Sequence, residues 1–178
     1  NLGSGLVASA TQFEPYIVGY SAPTLLGSGK ATYNLVGGST PRLNQTIAAT
    51  LNNFTITIDF DYALLDLALG VTASGLTANV TGNDIAVPDI FVDGAFNLST
   101  SNFNQLTVSG SACTSFCTAD LSGFFAGVGG TQIGSAYSIL TDVGTIKGVA
   151  ALDIGTPSSG AGVLPDAQLY TMTTTSSS

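Results

Sequence analysis

The segment Asn52–Tyr62, "NNFTITIDFDY", places Phe54, Ile56, Ile58, Phe60 and Tyr62 at every second position, with Thr55, Thr57, Asp59 and Asp61 between them. Side chains of a strand point alternately to the two faces of a sheet, so this spacing predicts an apolar face turned inward and a polar face turned to water. The same period recurs along the chain. "GLTANVTG" sets Leu76, Ala78 and Val80 against Thr77, Asn79 and Thr81, and "NQLTVSGSA" sets Leu106 and Val108 against Thr107 and Ser109. "TADLSGFFAG" aligns Leu121, Gly123 and Phe125, and "GTIKGVAALDI" opposes Ile146, Ala150, Leu152 and Ile154 to Lys147 and Asp153. Turn signals separate these runs: "LVGGST", "TASG", "TGND", "VDG" and "LTDVG". Strands punctuated in this rhythm predict an all-β fold, an antiparallel up-and-down barrel with sequence neighbours paired in space. Closure of the sheet would also hide edges that this Lys- and Glu-poor chain has few charges to protect.

Composition narrows the class. Only 8% of the 178 residues are charged while 44% are hydrophobic, so solubility rests on neutral Ser, Thr, Asn and Gln, and the chain is too apolar to be disordered. A formal charge of −8 with three cations, Lys30, Arg42 and Lys147, cannot track a phosphate backbone, which excludes nucleic acid as a partner. No apolar run is long enough for a transmembrane helix; "YALLDLALGV", Tyr62–Val71, is short and carries Asp66. The sequence divides into an N-terminal arm (1–29), a barrel (30–154), and a linker with a strand-like C-terminal arm (155–178).

Cys113 and Cys117 stand as C-x3-C in "SACTSFCTAD". Zinc would need four ligands, and the chain has no His and no other Cys; a disulfide is expected, with an oxidising, extracellular location.

The glycine-rich stretch "GFFAGVGGTQIGSAYSI", Gly123–Ile139, has no Lys and no helix to follow it, so it is read as a barrel corner rather than a phosphate cradle. Gly123, Phe124 and Phe125 end one strand, Gly127, Gly129 and Gly130 turn, and Tyr137 opens the next. Together with "GTIKGVAALDI", the upstream "GKATYNLVGGSTP" and the C-x3-C, this stretch resembles the transferrin-binding protein B type β-barrel, as found at the C-terminal ends of FecR-like bacterial surface proteins. The loop departs from that family's Gly-Pro-x-Ala, reading Gly127-Val128-Gly129-Gly130. The resemblance implies a barrel of about eight strands, on a bacterial cell surface or secreted, and no particular activity.

Candidate chemistry is sparse. Without histidine no Ser–His or Cys–His nucleophile can form, no motif supports a Ser–Lys pair around Lys147, and Asp59 with Asp61 reads as a solvated strand face. Haem would have only Met172 or a tyrosine to ligate it, and no cofactor is expected. Asp84, Asp89 and Asp93 in "GNDIAVPDIFVDG" are a weak calcium candidate, the spacing not being that of an EF-hand. Four sequons, at Asn44, Asn53, Asn79 and Asn97, matter only if the source glycosylates them.

The reading that follows is a non-enzymatic extracellular structural subunit. It would assemble as a homo-oligomer or polymer by strand addition through the arms, with Phe13, Tyr16, Val18, Tyr20, Leu169 and Tyr170 setting register. The alternative is a surface module that captures a host protein through its loops, or a small apolar ligand in its interior.

Overall fold

A computed structural model describes residues 25–154 together with Tyr16, Ile17 and Gly19. Of the proposed arm anchors, Phe13, Val18, Tyr20, Leu169 and Tyr170 lie outside the described residues, as does Met172.

The alternating runs become strands: β1 (Lys30–Gly38), β2 (Arg42–Leu43), β3 (Ile47–Asp59), β4 (Leu64–Ala73), β5 (Leu76–Ala86), β6 (Ala95–Ser99), β7 (Leu106–Ser109), β8 (Thr118–Ala126), β9 (Gln132–Thr141) and β10 (Gly144–Ile154), with one helical turn, α1 (Ile90–Asp93), between β5 and β6. They form a single antiparallel sheet in the order β6-β8-β9-β10-β1-β3-β4-β5-β7, β2 bridging β10 and β3. The fold is all-β, with ten strands where about eight were expected.

Aromatic contacts show that the sheet curls. Phe54 on β3 and Tyr137 on β9 are separated by β10 and β1 in the sheet, yet their rings meet edge to face at 6.1 Å. Strands in a flat sheet stand about 4.8 Å apart, which would hold these residues about 14 Å from each other. Tyr33 on β1 meets Phe125 on β8 at 5.9 Å, and Phe60 meets Phe125 at 6.2 Å. The inward residues are almost wholly buried, among them Tyr33, Phe54, Ile56, Ile58, Phe125 and Ile139. Each such side chain contributes about 1.5–3 kcal/mol by leaving water.

Glycines make room for rings. A Cβ at Gly123 would lie 2.2 Å from the Phe96 ring on its register partner, and one at Gly148 would lie 2.4 Å from the Tyr137 hydroxyl oxygen.

The structure corrects the sequence reading in several places. The order is not strictly up-and-down: β6 pairs with β8 and β7 with β5, and these end strands do not pair with each other, so the sheet is curled without a closing ladder. Tyr62 does not extend the apolar face. β3 ends at Asp59, and Tyr62 sits in the following turn, 75% exposed. Asp59, read as solvated, is 7% exposed. It pairs with Lys30 at 3.1 Å and accepts bonds from the N–H groups of Asp61 and Tyr62. Burial pushes its pKa up, but Lys30 and those N–H groups more than offset that, so the net shift is downward. Tyr137 does not open a strand: β9 begins at Gln132, and Tyr137 lies in its middle.

Candidate functional site

The interior is the first place to look for a ligand, and the rings of Tyr33, Phe54, Phe60, Phe125 and Tyr137 occupy it. An interior of this width is filled by its own side chains. Function is therefore sought on the outer face and at the two ends of the barrel.

Antiparallel register assigns each turn to an end. One end gathers the β3–β4 turn, α1 and the β8–β9 turn, since Lys30 pairs with Asp59, Leu64 with Ala86 and Ala126 with Gln132. The other end gathers the β2–β3 turn, the β4–β5 turn, the β7–β8 loop and the β9–β10 turn.

At this second end Cys113 and Cys117 form a disulfide across the β7–β8 loop. The stapled loop is tied down further by Asp142 of the β9–β10 turn. Its carboxylate accepts bonds from the Thr114 N–H (2.5 Å), the Thr114 hydroxyl (2.7 Å), the Ser115 N–H (3.1 Å) and the Ser115 hydroxyl. The hydroxyl and amide donors of Ser115 and Thr114 hold the Asp142 pKa down at about 2. Ser111 and Thr77 bind the loop to the start of β5, with Thr77 N–H donating to Ser111 Oγ at 2.9 Å. Asn44 joins the β2–β3 turn to the β9–β10 turn, donating to Val143 O at 3.2 Å and accepting from Thr145 N–H at 3.0 Å. Asn44 takes a left-handed φ of 49°, which asparagine tolerates better than most residues. The outcome is a cross-tied platform from which Phe116 projects, 80% exposed, with Val143, Leu140 and Ile47 also uncovered.

The first end differs in both charge and construction. Rings link it to the core: Phe91 of α1 lies 6.2 Å from Phe60, which in turn meets Phe125. Tyr62 and Val92 are exposed there, at 75% and 81%. Its half of the barrel carries Asp59, Asp61, Asp66, Asp84, Asp89, Asp93 and Asp153 against Lys30 alone. Seven carboxylates against one ammonium leave six negative charges among the described residues. The stapled half carries Asp120 and Asp142 against Arg42 and Lys147, which cancel. Arg42 and Lys147 are register partners across β2 and β10 and so share the outer face.

The weak calcium trio is not assembled. Asp84 lies in β5 with its N–H donating to Asp66 Oδ1 at 2.7 Å, Asp89 precedes α1 and Asp93 ends it. Among the described residues no three His, Cys, Asp or Glu side chains form a metal-binding group.

The glycine stretch runs from β8 through a 3-10 turn at Val128–Gly130 into β9. Gly127, Gly129 and Gly130 have φ of 76°, 71° and 71°, a region that favours glycine. The Gly130 carbonyl accepts the Tyr33 hydroxyl at 2.8 Å, anchoring the turn to the core. Phe124 faces outward beneath Gly19, and Ile17 approaches Gly134, so the described part of the N-terminal segment lies along β8 and β9 of its own chain. Tyr16 is 63% exposed.

Shallow depressions mark the outer face among the described residues. One, of about 400 Å³, is lined by Asn97, Ser99, Asp120, Ser122, Ser138 and Lys147. Another, of about 510 Å³, opens where bulges in β1 and β3 let the strands part beyond Asn34 and Thr55. Sequence reasoning missed the Asp142 clamp altogether. Its one signal was an aspartate in "LTDVG", indistinguishable from an ordinary turn former.

No family model and no curated protein matches the chain, so the FecR-like context is without support. Among solved structures it is similar to a point mutant of the vaccine antigen Transferrin Binding Protein B from Haemophilus parasuis Hp5, at 13% identity and a TM-score of 0.38. The match covers 75% of this chain and spans 28% of the length of that one. No helix among the described residues is long and apolar enough to cross a membrane.

Proposed function

We propose that this domain is a non-enzymatic module of a bacterial cell surface or extracellular space that makes protein contacts through its stapled end. The observation that carries this reading is Phe116. A phenyl ring held 80% exposed gains nothing for folding. Yet the loop beneath it is fixed by a disulfide and by every donor that Thr114 and Ser115 offer to Asp142. Rigid presentation of an aromatic side chain lowers the ordering cost of binding, and aromatic anchors of this kind dominate interface energies. The disulfide supports an oxidising location. Strand addition through the terminal arms is a second form of the proposal; of its anchors only Tyr16 is described, and the segment around it lies along β8 and β9 of its own chain.

The test places a photo-cross-linking amino acid at position 116 of the full-length protein in cells that produce it, with position 81 on the outer face of β5 as the control. The reading expects a discrete adduct from position 116 and none from position 81. No adduct at 116, or equal adducts at both, overturns it.

A further inference from the structure

We infer that the partner met by the stapled end is the stapled end of a second copy of this chain, so that two copies pair face to face as a symmetric dimer. This inference rests on the reading of the stapled end as a contact surface, and adds the partner's identity. The apolar side chains there belong to one patch. Asp142 clamps Thr114 and Ser115, the residues next to Phe116, and is itself followed by Val143. The Val143 carbonyl in turn accepts from Asn44, in the turn that carries Ile47 into β3. Direct ties thus gather Phe116, Val143 and Ile47, all three exposed. The polar groups among them are already bonded within the chain. Both Asp142 carboxylate oxygens accept from the stapled loop, and Asn44 donates and accepts across to the β9–β10 turn. The Thr141 hydroxyl donates to the Gly144 carbonyl at 2.7 Å, and the Arg42 guanidinium to the Thr46 carbonyl at 3.0 Å. Covering this end removes apolar tips from water without stranding these groups. The core of such a contact is depleted in charge, so the partner is uncharged and apolar where it touches. The stapled end of another copy meets that requirement, because the charges of its half cancel, whereas the acidic end brings its surplus of six. Face-to-face pairing also holds the two acidic ends at the far sides of the pair, where repulsion between the copies is least. One surface meeting itself closes about a twofold axis and goes no further.

The experiment uses sedimentation velocity of the full chain from micromolar to millimolar concentration, at low and high salt. The inference expects a monomer–dimer equilibrium that tightens as salt screens the repulsion between two acidic chains. Phe116→Ser should raise the dissociation constant about tenfold or more, the scale of an aromatic anchor at an interface. Tyr62→Ser removes a similarly exposed ring from the acidic end and should leave the constant unchanged. Circular dichroism confirms that both variants remain folded. A wild type that stays monomeric throughout, a dimer indifferent to Phe116→Ser, or a dimer that salt dissociates overturns the inference. In cells, an adduct at position 116 with twice the mass of the chain supports both the inference and the functional reading. If the isolated chain is monomeric while position 116 cross-links a different protein, this inference fails and the functional reading stands. If the isolated chain is monomeric and position 116 cross-links nothing, both fail.

Discussion

The two ends of this barrel are held by different forces. At the acidic end, beside the Lys30–Asp59 ion pair, Phe91, Phe60, Phe125 and Tyr33 form a chain of ring contacts that runs into the core. At the stapled end the loops are joined by a covalent bond and by hydrogen bonds from short polar side chains. Apolar packing responds to lost volume and ignores pH and redox state. Polar and covalent ties do the reverse. The difference teaches that a loop can be fixed without a core beneath it, leaving its aromatic tip uncovered for other use.

The strongest way to break the comparison is at the acidic end. Phe125→Ala removes the ring that touches both Tyr33 and Phe60, and is expected to cost about 3–5 kcal/mol in urea unfolding. Because that ring is also fully buried in the core, the whole domain should lose stability together. A loss confined to α1 would show that the rings do not couple the end to the core.

Cys113→Ser with Cys117→Ser removes the staple. The chain-entropy model gives about 2 kcal/mol for so short a loop. The strands should persist in circular dichroism while the chain becomes cleavable by protease between residues 113 and 117.

Acid sharpens the contrast. The Asp142 pKa falls to about 2 in the folded protein, below the ordinary aspartate value of about 3.9. A depressed carboxylate stabilises the fold fully above its unfolded pKa, and that contribution is lost as pH falls through the folded value. Protease sensitivity of the stapled loop should therefore rise from about pH 4 down to about pH 2. Asp142→Asn should already be sensitive at neutral pH and lose this dependence, while α1 should be the same in both proteins at neutral pH.

The smallest expected effect lies between the ends. The Tyr137 hydroxyl is buried with no hydrogen-bond partner among the described residues, and burial pushes its pKa up. Tyr137→Phe removes that unmet group and is expected to raise stability by about 1 kcal/mol in urea unfolding. A loss of stability would mean that the hydroxyl is satisfied after all.

Much of the fold was legible because a period of two needs only local information. Phe54, Ile56 and Ile58 declared the inner face of β3, as Ile146, Ala150 and Leu152 did for β10. What the residues hid was non-local. Nothing in "FNLS" says that β6 will skip β5 and pair with β8. The bulges near Leu35 and Leu51 fall where β1 gives way to β2 between the same two neighbours, β10 and β3. Asp59 and Asp142 looked like generic polar residues because their partners, Lys30 and the Thr114–Ser115 pair, are distant in sequence. The polarity of charge was equally invisible until register assigned each aspartate to an end.

Amide hydrogen exchange on the oxidised and reduced domain tests the central claim most directly. Thr114 and Ser115 belong to an exposed loop, yet their N–H groups should exchange as slowly as amides within β8 and β9, and should lose that protection once Cys113 and Cys117 are reduced. Rapid exchange at both positions in the oxidised protein would contradict a rigidly presented Phe116, and with it the contact surface built upon it.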